Sequence, residues 1–456
     1  MKQKKLITAV FFLICSLNAQ AQIKKWTILE CVEYALQHNI SIKQTELDTM
    51  VAKIDKKDAL GNFLPSVNAN ASHSWNIGLN QNITTGLLEN QTTQFTSAGL
   101  NMGIDIYRGL QNQTRLSRAR LSIIASQYQL KKMRDDISLN VANAFLQILF
   151  NKENLKVQKE LLQNNEKQQS RTQELVSAGS VPRGDLLDMQ ATVAGSKQAV
   201  VIAENTLLIS KLSLAQLLQL EDYENFDIAD EKFDVQDSPT MMQTPDAIFK
   251  KAKEERAEIK LARTNLQIAE KDVRIAKGGF QPSLTGFYSF STRASYSDRI
   301  LGVDGNGDPI VAGPQPLFDQ FSDNKGHSFG LQLNIPILNG FSVRNNVERS
   351  KISLERSKIA YSQQELDLER NVYTAFTDAK GALNSYEAAV SALEARTEAF
   401  NYAKEKFNVG LMNAFDLNQA QTLYANAESE VLRTKFDYIF RVKVVEFYFG
   451  IPITQK

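Results

Sequence analysis

The sequence contains an internal repeat, and this repeat constrains the fold more than any other feature. Residues 27–66 align without a gap with residues 244–283, at an offset of 217. Residues 179–190 align with residues 410–421 at an offset of 231, because the loop at 298–326 is longer in the second copy. A repeat of this length indicates that the chain builds the same structural unit twice.

Each copy begins with a helix that ends at glycine and then at proline. Gly61 is followed by Pro65 in the first copy, and Gly278 is followed by Pro282 in the second. We expect the glycines to supply a left-handed turn, because glycine has no Cβ to oppose it. The prolines then prevent the helix from continuing.

Two alternating segments follow the first helix of each copy. Apolar and polar residues alternate over residues 67–79 and 329–338, with Val67 and Trp75 on one face and Asn70 on the other. This period of two indicates strands with one apolar and one wet face. Strands of about ten residues or more are long for a globular sheet and suit tilted membrane spans.

A long helical hairpin completes each copy. Residues 111–178 and 343–409 contain no proline and almost no glycine, and each would form a helix about 100 Å long, as in a coiled-coil tube or rod. Residues 186–220 and 416–449 form shorter returning helices. We therefore expect both termini and the acidic segment 221–237, interpreted as solvated surface, to lie together partway along the tube.

Each hairpin reverses direction at a short glycine-containing turn. The turns read GSVPRGD from Gly179 and GLMNAFD from Gly410. Glycine and proline favour such a reversal. We expect Asp185 and Asp416 to cap or begin the returning helices, where a negative charge suits the helix N-terminus.

The N-terminus has the pattern of a secretory signal peptide. Basic residues precede an apolar run that ends at an Ala-Gln-Ala site, so we predict that residues 1–21 are removed on export. Whether Cys15 is lipidated stays open. Cys31 is the only other cysteine, which excludes an intrachain disulfide in the mature chain.

Composition and strand number narrow the class of protein further. The chain has 52 Lys and Arg against 51 Asp and Glu, which gives no reason to expect nucleic acid as a partner. No run after the signal peptide approaches about 18 apolar residues, so we expect no membrane-spanning helix. Four membrane-length strands cannot close a barrel, which needs about eight, and an open edge is not viable in lipid. The chain must therefore oligomerise.

Three motifs carry a resemblance to a known family. They are Asp185–Gln190 and Asp416–Gln421 at the tips and Ile335–Gly340 where strand becomes helix, and Ile104–Gly109 matches the last of these without its proline. With the doubled strand-and-hairpin plan, they resemble the outer-membrane efflux proteins, the TolC-like outer membrane factors. The resemblance covers about residues 24–450.

This resemblance implies a mainly α fold with a membrane β-barrel. Three copies would each give four strands to a shared 12-stranded barrel in a homotrimer, and their helices would form a long coiled-coil α-barrel in the periplasm. The number three comes from the resemblance alone. The implied segments are a signal peptide at 1–21, a helix at 22–61, strands at 62–109, a hairpin at 110–220, an equatorial segment at 221–255, a helix at 256–279, strands at 280–340, a second hairpin at 341–450 and a tail at 451–456.

The implied function is a passive outer-membrane exit channel of a tripartite efflux or type I secretion system. The implied partners are a periplasmic adaptor protein, an inner-membrane RND or ABC transporter and outer-membrane lipid. No cofactor is expected, and the sequence has no P-loop. A periplasmic adaptor or a structural periplasmic coiled coil remains the alternative, although neither needs paired membrane-length strands. Whether the cargo is a drug, a metal ion or a protein stays open.

The resemblance also places a gate and a docking surface at the hairpin tips. Known members close the aperture with a second carboxylate, a Tyr and an Arg, whereas Gln419, Phe407 and Met412 stand here. We therefore expect a closed state that is more apolar than electrostatic, and cation preference from a ring of Asp416 carboxylates. The expected aperture residues are Asp416, Gln419, Phe407, Phe415, Asp185 and Asp188. The expected adaptor contacts are Gly179, Ser180, Val181, Gly410, Leu411 and Met412.

Catalytic and metal-binding patterns are weak in this sequence. His38, His73 and His327 lie on separate segments and match no catalytic constellation, so we do not expect an enzyme. We interpret His73 and His327 as water-facing residues of the barrel strands. Residues 304–308 resemble the start of a calcium loop, but Pro309 stands where that loop requires glycine, so a plain turn is favoured and calcium binding stays open.

Overall fold

The computed structural model describes residues 25–81, 86–223, 225–231, 233, 235 and 238–452. The predicted signal peptide, including Cys15, lies outside the described residues. The chain forms two compact units. The helical unit holds the described residues within 1–49, 126–262 and 361–456, and the strand unit holds those within 50–125 and 263–360.

The helices repeat in length as well as in sequence. The first copy contains α1 (Ile28–His38), α2 (Ile40–Gly61), α3 (Gln111–Ser177) and α4 (Arg183–Leu218). The second copy contains α5 (Pro245–Glu255), α6 (Ala257–Gly278), the short α7 (Leu317–Asp323), α8 (Ser342–Asn408) and α9 (Ala414–Phe449). Apart from α7, the equivalent helices have 11, 22, 67 and 36 residues in both copies.

The first helix of each copy starts at an equivalent threonine. The Thr27 hydroxyl accepts a hydrogen bond from the Glu30 amide at 3.2 Å, and the Thr244 hydroxyl accepts one from the Ala247 amide at 3.3 Å. The Glu30 carboxylate also accepts from the Thr27 amide, which completes a capping box. The repeat therefore preserves the local cause of the helix start.

Four strands form the main sheet. They are β2 (Ser66–Gln81), β3 (Leu88–Arg108), β5 (Ser283–Ser295) and β8 (Gly326–Asn334), antiparallel and adjacent in chain order. The remaining described strands are β1 (Lys25–Trp26), which pairs in parallel with β4 (Asp227–Ile228), and β6 (Arg299–Val303), which forms a hairpin with β7 (Pro309–Ala312).

The fourth strand of the sheet differs from the prediction. The alternation predicted a strand at 329–338, but β8 begins at Gly326, ends at Asn334 and has 9 residues. It stops there because Pro336 has no N–H with which to continue the ladder. The apolar residues that extended the alternation, such as Ile337, lie beyond the strand end.

Cross-strand pairing assigns one polar and one apolar face to the sheet. On the polar face, Asn101 Nδ2 donates to Asn70 Oδ1 at 3.2 Å and Ser289 Oγ donates to Asn101 Oδ1 at 2.8 Å. His73 lies two residues before Trp75 and therefore shares its apolar face. His327, opposite Phe290, also lies on the apolar face.

The interpretation of both histidines as water-facing was therefore wrong about the face. Each histidine lies among apolar residues but forms a hydrogen bond with one polar side chain. His73 Nδ1 lies 2.7 Å from Thr96 Oγ1, and His327 Nδ1 lies 2.9 Å from the Tyr288 hydroxyl. These contacts satisfy one polar atom of each ring.

The glycines at the helix ends do not act as predicted. Neither Gly61 nor Gly278 has a positive φ. Position 278 requires glycine for a different reason, because a Cβ there would lie 2.6 Å from the Gly109 carbonyl oxygen. The left-handed turns instead occur where strand becomes helix, at Gly109 and Gly340, both with a φ of 56°.

The helical unit is held together by one main hydrophobic core. Phe145 and Leu214 from the two helices of the first hairpin are fully buried there. Ile28 near the N-terminal end, Ile228 in the acidic segment and Phe447 near the C-terminal end join the same cluster. The two ends of the described chain and the acidic segment therefore meet in one core.

The acidic segment is more than solvated surface, which corrects the prediction. Lys152 Nζ lies 2.5 Å from Asp230 Oδ1, and Lys211 Nζ lies 2.9 Å from Asp227 Oδ1. Burial by itself raises the pKa of Asp227. The hydrogen bond from Lys211 and the charge of Lys152 outweigh burial, so the pKa lies below its ordinary value. These ion pairs attach the segment to α3 and α4.

One helix in the described part of the chain is long and apolar enough to cross a bilayer, judged by length and composition alone. It is α4, whereas the sequence predicted none. Its Lys197, Glu204 and Lys211 each form an ion pair with a side chain outside the helix. A lipid environment would not supply these partners, so we assign α4 to the hairpin.

Candidate functional site

Both hairpin tips reverse the chain through the same backbone motif. In the first, the Ser180 amide donates to the Leu175 carbonyl at 2.8 Å and the Gly179 amide to the Val176 carbonyl at 3.0 Å. Equivalent bonds are made in the second tip by the amides of Leu411 and Gly410, at 2.8 and 3.1 Å. Gly179 and Gly410 have φ values of 73° and 77°, which glycine adopts without strain.

The returning helices begin near Asp185 and Asp416, as expected, but their N-caps differ from each other. The α4 helix follows Pro182 with no side-chain cap, whereas Asn413 Oδ1 accepts from the Asp416 amide at 2.8 Å to cap α9. Asp185 and Asp416 lie in the first turn of their helices and cap neither. Asn413 was missed, although its type and position are typical of an N-cap.

The first two turns of the returning helices pack together. Leu186, Met189 and Leu417 are buried, and Asn418 Nδ2 lies 2.7 Å from Met189 Sδ. Among the described side chains, no basic group forms an ion pair with Asp185, Asp188 or Asp416. Asp188, Asp416 and Gln419 are exposed, and Asp185 is half-buried. Carboxylates without partners at the starts of two adjacent helices form an acidic tip.

An arginine that the sequence analysis missed joins the two hairpins near this tip. Arg171 Nη1 donates to Asn408 Oδ1 at 3.0 Å, and the Arg171 guanidinium carbon lies 5.4 Å from the centre of the Phe407 ring. Arg171 belongs to α3 and the other two residues to α8. Because these helices are far apart in sequence, no periodicity pointed to the contact.

Apolar side chains are exposed at the second tip. Leu411 is 78% exposed and Phe415 is 65% exposed, while Met412 is half-buried. The first tip is more polar, with Gly179 and Ser180 exposed and Val181 half-buried. Exposed apolar groups at a turn indicate a contact surface.

Metal-binding patterns have no counterpart in the described side chains. Within the described ranges, no group of three or more His, Cys, Asp or Glu side chains could hold a metal ion. Asp304 Oδ1 accepts from the amides of Asn306 and Asp308, both at 2.9 Å. This carboxylate therefore organises the turn between β6 and β7.

Comparison with protein families gives one match that extends over most of the chain. The family described as outer membrane efflux protein matches residues 31–219 and 248–439. The two matched ranges correspond to the two copies of the repeat. Curated protein sequences give no significant match.

Solved structures share the fold at low sequence identity. The Campylobacter jejuni CmeC outer membrane channel has a TM-score of 0.79 at 18% identity, over 94% of this chain and 87% of that one. The outer membrane protein VceC of Vibrio cholerae has a TM-score of 0.76 at 15% identity, over 93% and 96%. The open state of Neisseria gonorrhoeae MtrE, also an outer membrane channel, has a TM-score of 0.74 at 18% identity, over 94% and 91%.

Proposed function

The chain belongs to the outer membrane efflux protein family, and we propose that it works as a homotrimer between a periplasmic adaptor and an inner-membrane pump. As a member of this family it is an outer-membrane efflux channel with its helices in the periplasm. Family membership favours this function over a periplasmic adaptor or a structural rod. The family consists of transport channels, and we propose that this member likewise catalyses no reaction.

One observation supports the proposed assembly. A contact between the two copies of the repeat occurs within the chain, but the contact between the equivalent residues does not. The strand-to-helix turn of the first copy meets the helix end of the second copy where Gly109 approaches Gly278. The repeat equivalents are Gly340, in the strand-to-helix turn of the second copy, and Gly61, at the helix end of the first. A Cβ on either would meet no described atom within 4 Å. The missing contact is therefore available to a neighbouring copy.

The same asymmetry holds for an ion pair. Arg118 Nε lies 2.6 Å from Asp272 Oδ1 within the strand unit. The equivalent residues, Arg349 and Asp55, are both exposed and form no ion pair with the described residues. A neighbouring copy placed head to tail brings Arg349 of one chain to Asp55 of the next.

Apolar side chains follow the same scheme. The Tyr107 hydroxyl donates to Gln281 Oε1 within the chain. The repeat replaces these residues with Leu338 and Leu64, which are 92% and 67% exposed. Burial of two such leucines against each other removes apolar surface from water, which favours association.

The same arrangement closes the sheet at its two edge strands. Among the described strands, β2 and β8 each pair on one side only. Within the chain, Gly103 of β3 pairs with Phe287 of β5. The repeat equivalents of these residues are Asn334 of β8 and Asn70 of β2, so we expect Asn334 to pair with Asn70 of the next copy. Closure leaves no strand edge in lipid. Head-to-tail contacts of this kind form a ring, and the ring size of three follows from the family resemblance.

The hairpin tips supply the proposed docking surface and aperture. The exposed Leu411, with Gly410 and Met412, would contact the adaptor together with Gly179, Ser180 and Val181 of the first tip. Asp416, Gln419, Phe415, Asp185 and Asp188 would surround the aperture. Arg171, bound to Asn408 and lying over Phe407, adds a polar link between hairpins to the apolar closure expected from the sequence.

Cross-linking tests the assembly directly. Asp55→Cys and Arg349→Cys in one chain, with Cys31 replaced by alanine, are treated with a short bismaleimide. We expect covalent species up to three chains on a denaturing gel. The matched control, Arg118→Cys with Asp272→Cys, joins the same repeat positions within one chain and should remain a single-chain band. A single-chain band for the test pair, or a ladder beyond three chains, would refute the proposed trimer.

A further inference from the structure

The sheet carries one Arg or Lys residue within its strands that no described carboxylate neutralises. Its four strands contain two Arg or Lys residues, Arg108 and Arg293. Arg108 is the last residue of β3 and forms an ion pair with Asp105 at 3.0 Å. Arg293 is the eleventh of the 13 residues of β5, and it forms no ion pair with a described acidic side chain.

Strand register places Arg293 on the polar face. It lies directly opposite Ser97 of β3, which in turn lies opposite Ser72 of β2. The Ser72 and Ser97 hydroxyl oxygens are 2.8 Å apart, so both side chains point to the same side as Arg293. In a membrane barrel the apolar face contacts lipid and the polar face lines the lumen. Arg293 therefore points into the conduit.

An aromatic ring holds the arginine in place. The Arg293 guanidinium carbon lies 3.7 Å from the centre of the Phe95 ring, which belongs to the polar face of β3. This cation–π contact orients the guanidinium and leaves its charge in place. The Arg293 side chain is exposed, and the surrounding strand residues on this face are mostly Ser, Asn and Gly.

We propose that Arg293 is a selectivity residue of the channel and gives it a binding station for anions, above all small carboxylates with an aromatic or apolar part. The inference rests on the proposed trimer, which brings three Arg293 side chains into one lumen. A ring of unneutralised guanidinium groups raises the local anion concentration and lowers that of cations. Guanidinium donors bind carboxylates in a fork geometry, and Phe95 beside each offers an apolar surface to the rest of the ligand.

Ion selectivity tests this inference. Purified trimers in planar bilayers under a KCl gradient give the potassium-to-chloride permeability ratio from the reversal potential. We expect Arg293→Gln to raise this ratio about threefold and Arg293→Glu to raise it further, because a fixed positive charge is removed and then reversed. Arg299→Gln, which makes the same charge change in the β6–β7 hairpin, should leave the ratio nearly unchanged.

Benzoate serves as the probe for the ligand class. It should reduce the wild-type potassium current in a voltage-dependent manner, and Arg293→Gln should abolish this block. Phe95→Leu retains the arginine and removes the ring, so it should weaken the block and preserve most of the ion selectivity. This variant separates the charge from the aromatic surface.

The outcomes distinguish this inference from the proposed function. Conducting trimers whose permeability ratio is the same in wild type and Arg293→Gln overturn the inference and leave the channel intact. An equal effect of Arg299→Gln also overturns it, because the permeability ratio would then not depend on where the positive charge lies. Wild-type protein that forms no conducting trimers overturns the proposed function and the inference with it.

Discussion

Arg118 Nε lies 2.6 Å from Asp272 Oδ1, and the repeat places Arg349 and Asp55 at the equivalent positions of the opposite join. The first pair joins the two copies of the repeat within one chain. The second pair forms no ion pair with the described residues of its own chain, so it reports on the proposed contact between chains. The Arg118–Asp272 contact within one chain therefore shows the geometry that we propose for Arg349 and Asp55 between chains.

Charge reversal at this interface should act on assembly. Asp55→Arg places a second positive charge opposite Arg349 of the neighbour. Like charges that face each other across an interface oppose association by several kcal/mol. We expect a large loss of trimer on a semi-native gel from Asp55→Arg or from Arg349→Asp. The double swap restores opposite charges and should recover most of the trimer. Failure of the double swap to recover it would place these residues outside the interface.

Glycine substitutions should separate chain folding from assembly. Gly278→Ala places a methyl group 2.6 Å from the Gly109 carbonyl oxygen and should destabilise the chain by about 1–3 kcal/mol. Gly61→Ala meets open space within the chain and should weaken the trimer only. Gly195→Ala, in an open helical position, should stabilise by up to about 1 kcal/mol. Thermal melting by circular dichroism of trimer and dissociated chain measures all three.

The sequence contained most of the architecture because the architecture is repetitive. Period-two alternation placed the strands, the lack of proline placed the long helices, and the repeat fixed their order. The alternation overestimated how far the fourth strand extends, because apolar and polar residues continue to alternate past Pro336 although the strand hydrogen bonds do not. The sequence analysis also missed Arg171 with Phe407, because a contact between two helices depends on their relative rotation, which composition and spacing do not encode.

The gate should respond to the acidic tip and to the arginine link in different ways. Asp416→Ala removes one carboxylate per chain, so the cation preference of single channels should fall. Phe407→Ala and Arg171→Ala each remove the contact between α3 and α8, and both should raise the open fraction. Arg183→Ala, at an exposed tip position, is the control. Unchanged selectivity in the first variant would exclude Asp416 from the aperture.

Charged residues at the tips should block export without affecting assembly. Leu411→Asp and Val181→Asp put a desolvated charge into the proposed adaptor contact, which is unfavourable in a packed interface. We expect loss of export in a deletion strain and normal amounts of trimer. Asn306→Asp makes a similar charge change in the β6–β7 turn and should export normally. Export that survives both tip variants would show that docking occurs elsewhere.

Acid should weaken the attachment of the acidic segment. The pKa of Asp227 is lower in the folded chain than the 3.8 of an ordinary aspartate. Its stabilising contribution is therefore present above about pH 4 and is lost as the pH falls through the folded-state pKa. We expect Asp227→Asn to lower the melting temperature at pH 7 and to have a smaller effect as the pH falls below about 4. An effect that does not change between pH 7 and acid pH would show that the carboxylate charge is irrelevant.

In the proposed assembly, several identical chains complete one outer-membrane channel. The decisive measurement is static light scattering of the protein extracted from the outer membrane in detergent, with a parallel bilayer recording of the same fraction. We predict a protein mass of three chains in the fraction that conducts. A monodisperse single chain with no conductance would rule out the proposed trimeric channel.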